Sequence, residues 1–385
     1  MPTVTVSSRG EQRIRGGHPW VYRTDVTAVD AGGGDFVEVL GPRGRPVGTA
    51  LFSDRSQITI RMLTVGQPAE LPALIHARLE RAIAFRESLS IDANTYRLVH
   101  GEADLLPSLI VDRYADYVVM QALSQGMDRV TPLVVASLTA LLRPLGILAR
   151  NDPKVRALEG LEQRVDVLAG EIPPTVAVRE GPVEYAADLR HGQKTGLFLD
   201  QRENREAAAR YARGRLLDCF SYHGGFALRL APQCDSAEAV DISADAVAHI
   251  TANAARNSLP ALSAREANVF DELRHYERTG ERFDTIVLDP PAFAKNKASV
   301  EKAIAGYKDI NLRALRILSP GGVLVTCSCS YNVDEPLFLQ ILADAAADAH
   351  AHVTILEKRM QARDHPVLVT VPETYYLKCM ILRKA

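Results

Sequence analysis

The spacing of hydrophobic and polar positions changes character twice along the chain. Up to about residue 70, short β-rich runs at Phe36 to Leu40, Val47 to Phe52 and Gln57 to Leu63 are separated by turn residues such as Gly41-Pro42-Arg43-Gly44. Runs of that length between Gly and Pro clusters predict a small β-barrel or sandwich. From 71 to 180 the period mixes. Leu74 to Ser88 carries apolar residues at 3–4 spacing, and a second helical pattern lies around Val130 to Leu142. Strand-like runs occupy Ser108 to Asp112, Tyr117 to Leu123 and Arg164 to Leu168, so a compact α+β domain is expected. Pro173-Pro174 then marks a linker.

From 181 to 385 buried-type runs alternate with helical stretches. The runs are Leu216 to Phe220, Ala237 to Ile242, Thr285 to Leu288 and Val323 to Cys327. The helical patterns are Ala244 to Asn257, Val300 to Leu318 and Leu337 to Ala349. Apolar runs joined by helices are what parallel strands covered on both faces require, so this region predicts a doubly wound α/β sheet. Such sheets bind ligands at the carboxyl ends of their strands. The residues that end each run are therefore the candidate chemistry.

The first run ends in Asp218-Cys219-Phe220-Ser221-Tyr222-His223-Gly224-Gly225, a small-residue turn without the GxGxxG dinucleotide fingerprint. The second ends in Asp241, an acid placed to accept from two ribose hydroxyls, although Asp241 and Ser243 also suit a helix cap. With the fingerprint missing, this pair favours S-adenosylmethionine over NAD. The third ends in Leu288-Asp289-Pro290-Pro291-Ala292-Phe293, where two prolines stop the ladder and fix a rigid turn. A rigid Asp289 suits the edge of a base flipped from its stack, and Phe293 is a stacking candidate. Lys295 and Lys297 follow as phosphate candidates or plain solvated charges. The fourth ends in Thr326-Cys327-Ser328-Cys329-Ser330. Alternation points Cys327 and Cys329 to one face, with Cys327 deeper in the core and Cys329 at the rim, opposite the Asp-Pro-Pro turn.

Charge and cysteine usage bound the partners. The formal net charge of -2 gives no global field for nucleic acid, so any RNA affinity must come from local patches. The start of the chain offers one, with Arg9, Arg13, Arg15 and Arg23 among Trp20 and Tyr22. Basic and aromatic side chains together hold phosphates and stack bases, although a solvated edge with two core aromatics explains the same pattern. The five cysteines include no CxxC pair, so no metal site is expected, and scattered thiols suit a reducing cytoplasm. Met1-Pro2-Thr3-Val4 opens without a basic stretch and an apolar core, and no apolar run nears the roughly 18 residues of a bilayer span.

Taken in order, further motifs bring in a resemblance. Arg15-Gly16-Gly17-His18-Pro19-Trp20-Val21, the stretch Tyr96 to Asp104, and His191 to Arg202 precede Leu288 to Phe293, Ser328-Cys329-Ser330 and Asp364-His365-Pro366. Together they resemble the bacterial 23S ribosomal RNA cytosine-5 methyltransferase family across the whole chain. The resemblance implies a PUA-like RNA-binding domain over 1–70, a central α+β domain over 71–180 and a class I, Rossmann-like methyltransferase domain over 181–385. It implies S-adenosylmethionine as cofactor, held by Phe198, Arg202, Asp218, Phe220, Tyr222, Gly224, Asp241, Ser243, Asn268, Phe270 and Asp289. Asn268 stands where relatives often carry an acid, and its carbonyl can still accept from the adenine amino group.

Further, Cys329 matches the family's nucleophile with Asp289 as its catalytic partner, while Arg15, His18, Trp20, Phe293 and Lys295 would meet RNA. The implied substrate is 23S ribosomal RNA or a large-subunit assembly intermediate, with no membrane partner and a homodimer left open. Cysteine suits the reaction because carbon 5 of cytosine becomes nucleophilic once a thiolate has added to carbon 6. The general base stays unassigned. A guanine-N2 methyltransferase would share the Asp-Pro-Pro turn and leave Cys329 structural. A non-catalytic RNA-binding protein would not need the cofactor cleft, and a nicotinamide dehydrogenase fits least.

Overall fold

Leu217, Ala239, Ile286, Val287, Leu324 and Val325 are sealed from solvent, as the unbroken apolar runs require of strands covered on both faces. They belong to a seven-stranded sheet in the computed structural model, which describes residues 1–294 and 299–385. The chain forms two compact units. One is Met1–Val178 with Ala187–Leu199 and Arg363–Thr374, and the other is Arg179–Ala186 with Asp200–Ala362 and Tyr375–Ala385.

The second unit holds the large sheet. Its strands run in the order Leu262–Glu266, Ser236–Asp241, Arg215–Cys219, Phe283–Leu288, Leu318–Ser328, Lys378–Lys384 and Val353–Arg359. The first five pair in parallel, and Lys378–Lys384 lies antiparallel between its two neighbours. The order reverses direction at Arg215–Cys219, which creates the crevice that doubly wound sheets use for ligands. Helices Val269–Thr279, Val300–Ile317 and Glu335–Asp348 cover one face through Leu273, Tyr307, Ile310, Phe338 and Ile341. Each fully buried side chain of this kind contributes ~1.5–3 kcal/mol relative to exposure.

Two sheets make up the first unit. A six-stranded sheet contains Thr3–Val6, Trp20–Tyr22, Val26–Asp30, Phe36–Leu40, Pro46–Phe52 and Ile58–Val65 around a core of Val4, Val37, Val39, Phe52 and Ile60. Its pairs are antiparallel except Thr3–Val6 against Phe36–Leu40. A five-stranded sheet, from Thr95–His100 to Arg164–Gly170, packs under helices Leu71–Ser88 and Thr131–Leu142 through Leu79, Val111, Met120 and Leu138.

Distant segments of the chain complete this unit. The Arg86 guanidinium, fully buried, donates to Asp104 Oδ2 at 2.8 Å and to the Asp364 carbonyl at 2.8 Å. The Asp364 carboxylate in turn accepts from the Arg97 amide at 2.9 Å. Thr195 donates to Asp112 at 2.6 Å, and the Leu197 amide donates to the Tyr114 hydroxyl at 3.0 Å. Among the described residues no helix is long and apolar enough to cross a membrane.

Candidate functional site

Parallel register brings three acids to one edge of the large sheet. Cys219 aligns with Val240 on one side and Leu288 on the other, so Asp218, Asp241 and Asp289 sit at adjoining strand ends. Asp218 is 1% exposed. Its Oδ2 accepts from the Ser221 hydroxyl at 2.5 Å and the Ala227 amide at 2.9 Å, while Oδ1 has no hydrogen-bond partner. Burial pushes this carboxyl up to about 7, with Asp289 and Asp241 adding to the rise and the two donors opposing it.

The turn after Asp218 is tightly wound. Phe220 and Tyr222 have φ of 62° and 53°, and Gly224 has 82°. Left-handed backbone costs a side-chain-bearing residue roughly 1–2 kcal/mol, and such strain concentrates at functional turns. Asp241 holds the turn: its Oδ2 accepts from the Tyr222 amide at 2.9 Å and its Oδ1 from the Ser243 amide at 3.0 Å. Ser243 caps helix Ala244–Arg256 through the Ala246 amide, and Asn268 caps Val269–Thr279 through the Phe270 amide at 2.9 Å. An aromatic row then runs from Phe220 to Phe270 (6.2 Å), Phe293 (5.9 Å) and Tyr307 (4.7 Å).

The Asp-Pro-Pro turn meets the end of the fourth strand. Regular pairing of Leu318–Ser328 stops at Ser328, so Cys329 lies just beyond the ladder rather than in alternation with Cys327. The Cys329 Sγ donates to the Pro290 carbonyl at 3.9 Å and remains partly exposed. Cys327 is buried opposite Cys379, and burial holds its thiol well above the ordinary range. Ser330 Oγ accepts from the Ala294 amide at 3.1 Å and bonds the Tyr307 hydroxyl at 3.0 Å, tying both loops to helix Val300–Ile317.

Asp289 is steered by residues that strand-end reasoning did not reach. Gln201 Nε2 donates to Asp289 Oδ1 at 2.8 Å, and Gln201 Oε1 accepts from Asn204 at 2.7 Å. Arg359 completes the relay, donating to Asn204 Oδ1 at 3.1 Å. Gln201 lies in the His191 to Arg202 motif, yet nothing local signals that its amide faces Asp289. Lys378 was also missed, because its position opposite Ser328 follows from an antiparallel strand that periodicity does not reveal.

The remaining expected residues divide between the units. Arg202 is buried, 3.8 Å from Glu203, in the second unit. Phe198 belongs to the first unit, with the Lys194 ammonium 4.3 Å above its ring. In the first unit, too, Arg15 is exposed and paired with Glu11 at 2.7 Å. Its neighbours are engaged internally: His18 Nδ1 accepts from the Trp20 amide at 3.1 Å, and the Trp20 indole donates to Glu102 at 2.9 Å. Burial lowers the His18 pKa, helped by Arg13 and opposed by Glu373. Arg13 donates to the Trp20 carbonyl and sits 4.9 Å over the Tyr22 ring. Helix Ser8–Arg15 thus accounts for much of the basic-aromatic pattern. Lys295 and Lys297 lie outside the described residues. Among the described residues no group of His, Cys, Asp and Glu is arranged to hold a metal ion.

The acidic strand ends fit S-adenosylmethionine, which carries an ammonium and a sulfonium. Asp218 keeps a buried acceptor oxygen without a donor, and a cationic ligand would relieve the repulsion among Asp218, Asp241 and Asp289.

Comparison with known proteins agrees. A PUA-like domain model matches residues 4–65, and an S-adenosylmethionine-dependent methyltransferase model matches residues 154–381. A protein named ribosomal RNA large subunit methyltransferase I from Tolumonas auensis is 40% identical, with 99% of each chain covered. The protein of the same name from Cronobacter sakazakii is 39% identical over 94% of each chain. Among solved structures, a SAM-dependent methyltransferase from Streptococcus mutans has a TM-score of 0.84 at 20% identity, covering 100% of both chains. A second methyltransferase, complexed with SAH, has a TM-score of 0.86 at 22% identity over 100% of both chains, a likeness of fold. With its sheet order, its acidic strand ends and both family matches, this chain belongs to the S-adenosylmethionine-dependent methyltransferases that carry an N-terminal PUA-like domain.

Proposed function

We propose that this chain methylates carbon 5 of a cytosine in 23S ribosomal RNA through a covalent cysteine adduct. One observation carries the reading: the partly exposed Cys329 thiol lies against the Pro290 carbonyl of the turn that presents Asp289. The relatives' name supports a large-subunit ribosomal RNA substrate.

In this scheme Asp218, Asp241 and Asn268 hold the cofactor, with Phe220 and Phe270 lining the adenine side. When bound, S-adenosylmethionine supplies a methyl group on a positively charged sulfur. Asp289, kept in place by Gln201, accepts from the exocyclic amine at the cytosine edge and orients the ring for attack. The Cys329 thiolate adds to carbon 6, which leaves carbon 5 electron-rich enough to be alkylated. Loss of the proton on carbon 5 then expels the thiolate and restores the aromatic ring.

Methyl-labelled S-adenosylmethionine with ribosomal RNA from cells lacking the gene tests the scheme. Label should appear in 5-methylcytidine, and Cys329→Ala should abolish turnover while binding the cofactor as tightly as the parent. Label in a methylated guanosine, with Cys329→Ala fully active, would replace the covalent route by direct transfer to an exocyclic amine. No label in naked or ribosome-bound RNA would move the protein to a binding role.

A further inference from the structure

Lys378 is a buried group in the second unit whose charge the scheme above leaves unused. It is 2% exposed at the start of the antiparallel strand Lys378–Lys384. Its Nζ donates to the Ser330 carbonyl at 2.8 Å and the Tyr376 carbonyl at 3.0 Å. Both acceptors are neutral, and among the described residues its ammonium has no carboxylate partner. Taking an ammonium out of water for two carbonyls is costly, because neutral acceptors do not return the lost solvation of a charge. A buried cation without a counter-ion needs a reason.

The surrounding charges supply one. Cys329 and Asp334 are the two groups whose negative charge favours the Lys378 ammonium. Asp334 is exposed and engaged in capping helix Glu335–Asp348 through the Leu337 amide at 2.9 Å. Among the described residues, Asp289, Cys327 and Tyr307 are further titratable groups around this corner, and none of them is cationic. Among the described residues, Lys378 is therefore a cation that a charged sulfur at 329 would meet. The Ser330 carbonyl fastens it one residue beyond that sulfur.

We propose that Lys378 is the positioning cation that stabilises the Cys329 thiolate. The proposal deepens the covalent reading and rests on Cys329 as its nucleophile. When the thiol ionises, its S–H bond breaks, the electron pair stays on sulfur and the proton passes to water at the open rim. Lys378 stays protonated throughout, and its uncompensated charge becomes half of an ion pair. Burial pushes the ammonium down to about 8 against the opposing pull of Cys329 and Asp334, so the lysine is only just held in its charged form near neutrality. Thiolate formation reverses that pressure, and the two charges favour each other.

The test reads the thiol directly. Alkylation of Cys329 by iodoacetamide is followed by peptide mass spectrometry from pH 6 to 10, with the half-buried Cys234 as internal reference. In the parent protein the Cys329 midpoint should lie at least about one pH unit below the ordinary thiol value of about 8.5. Lys378→Met should raise it by about one unit or more, a tenfold loss of thiolate at pH 7, and Lys378→Arg should restore most of the shift. Cofactor affinity shows that each variant keeps its fold. A parent midpoint at or above 8.5 overturns the proposal even if Lys378→Met fails to fold, as does a midpoint unmoved in a folded Lys378→Met. The alkylation profile is independent of methyl transfer, so an active Cys329→Ala would remove the covalent reading without being mistaken for failure of the pairing.

Discussion

Asp218 shows how one buried carboxyl records its surroundings. Its folded pKa of about 7 lies above the ordinary 3.8, because burial disfavours the charged form. A raised carboxyl makes the folded state bind its proton more tightly than the unfolded chain. Its contribution to stability is thus present in acid and is lost as pH rises, over the window from about 4 to 7. Asp218→Asn cannot titrate. Urea unfolding should show the parent losing about 1.4 kcal/mol per pH unit more than Asp218→Asn across that window. Parallel slopes would mean that the carboxyl is already ionised in the folded protein. The same orphaned oxygen that makes Asp218 hard to ionise makes it a good acceptor for a ligand's ammonium.

At the scale of elements, helix caps and cofactor contacts compete for the same side chains. Asn268 accepts from the Phe270 amide and starts Val269–Thr279. Removing such a cap costs ~1 kcal/mol, whereas an aspartate caps equally well. Asn268→Ala should therefore lower the thermal midpoint by a few degrees, and Asn268→Asp should not. Cofactor titration of the two variants separates the cap from the adenine contact. If Asn268→Ala loses no stability, the cap contributes nothing.

The same scale shows what the sequence made legible. Buried parallel strands announce themselves as apolar runs, and Leu216 to Phe220 and Ala237 to Ile242 differ from the observed strands by a residue or so at each end. Leu262–Glu266 and Val353–Arg359 carry polar or half-exposed side chains at the sheet edges, where nothing forces an apolar run. Helix Ser8–Arg15 was hidden because its polar face dominates, with only Gly10 and Ile14 buried. In the site, strand ends pointed to Asp218, Asp241, Asp289 and Cys329. Gln201 and Lys378 meet them only through tertiary pairing, which local spacing does not encode.

Over the length of the chain, contacts remote in sequence close each unit on itself. The Arg97 amide and the Asp364 carboxylate are 267 positions apart, yet they share a hydrogen bond within one unit. Asp364→Ala would leave that amide without its acceptor, at ~1–3 kcal/mol for a group shielded from water. Hydrogen exchange should then rise in strand Thr95–His100 and stay unchanged in Phe283–Leu288. Equal protection in both proteins would show the Asp364 tie to be dispensable.

Interleaving on this scale constrains how the protein can be made. A chain leaving the ribosome exposes residues 1–178 long before Arg363–Thr374 arrives to accept from Arg86 and Arg97. The large sheet likewise waits for Lys378–Lys384 to slide between two strands already formed. Neither core is complete until those later segments have reached the parts of the chain that they join. Lys378 arrives with that strand, and the corner around the Ser330 carbonyl is incomplete until it does.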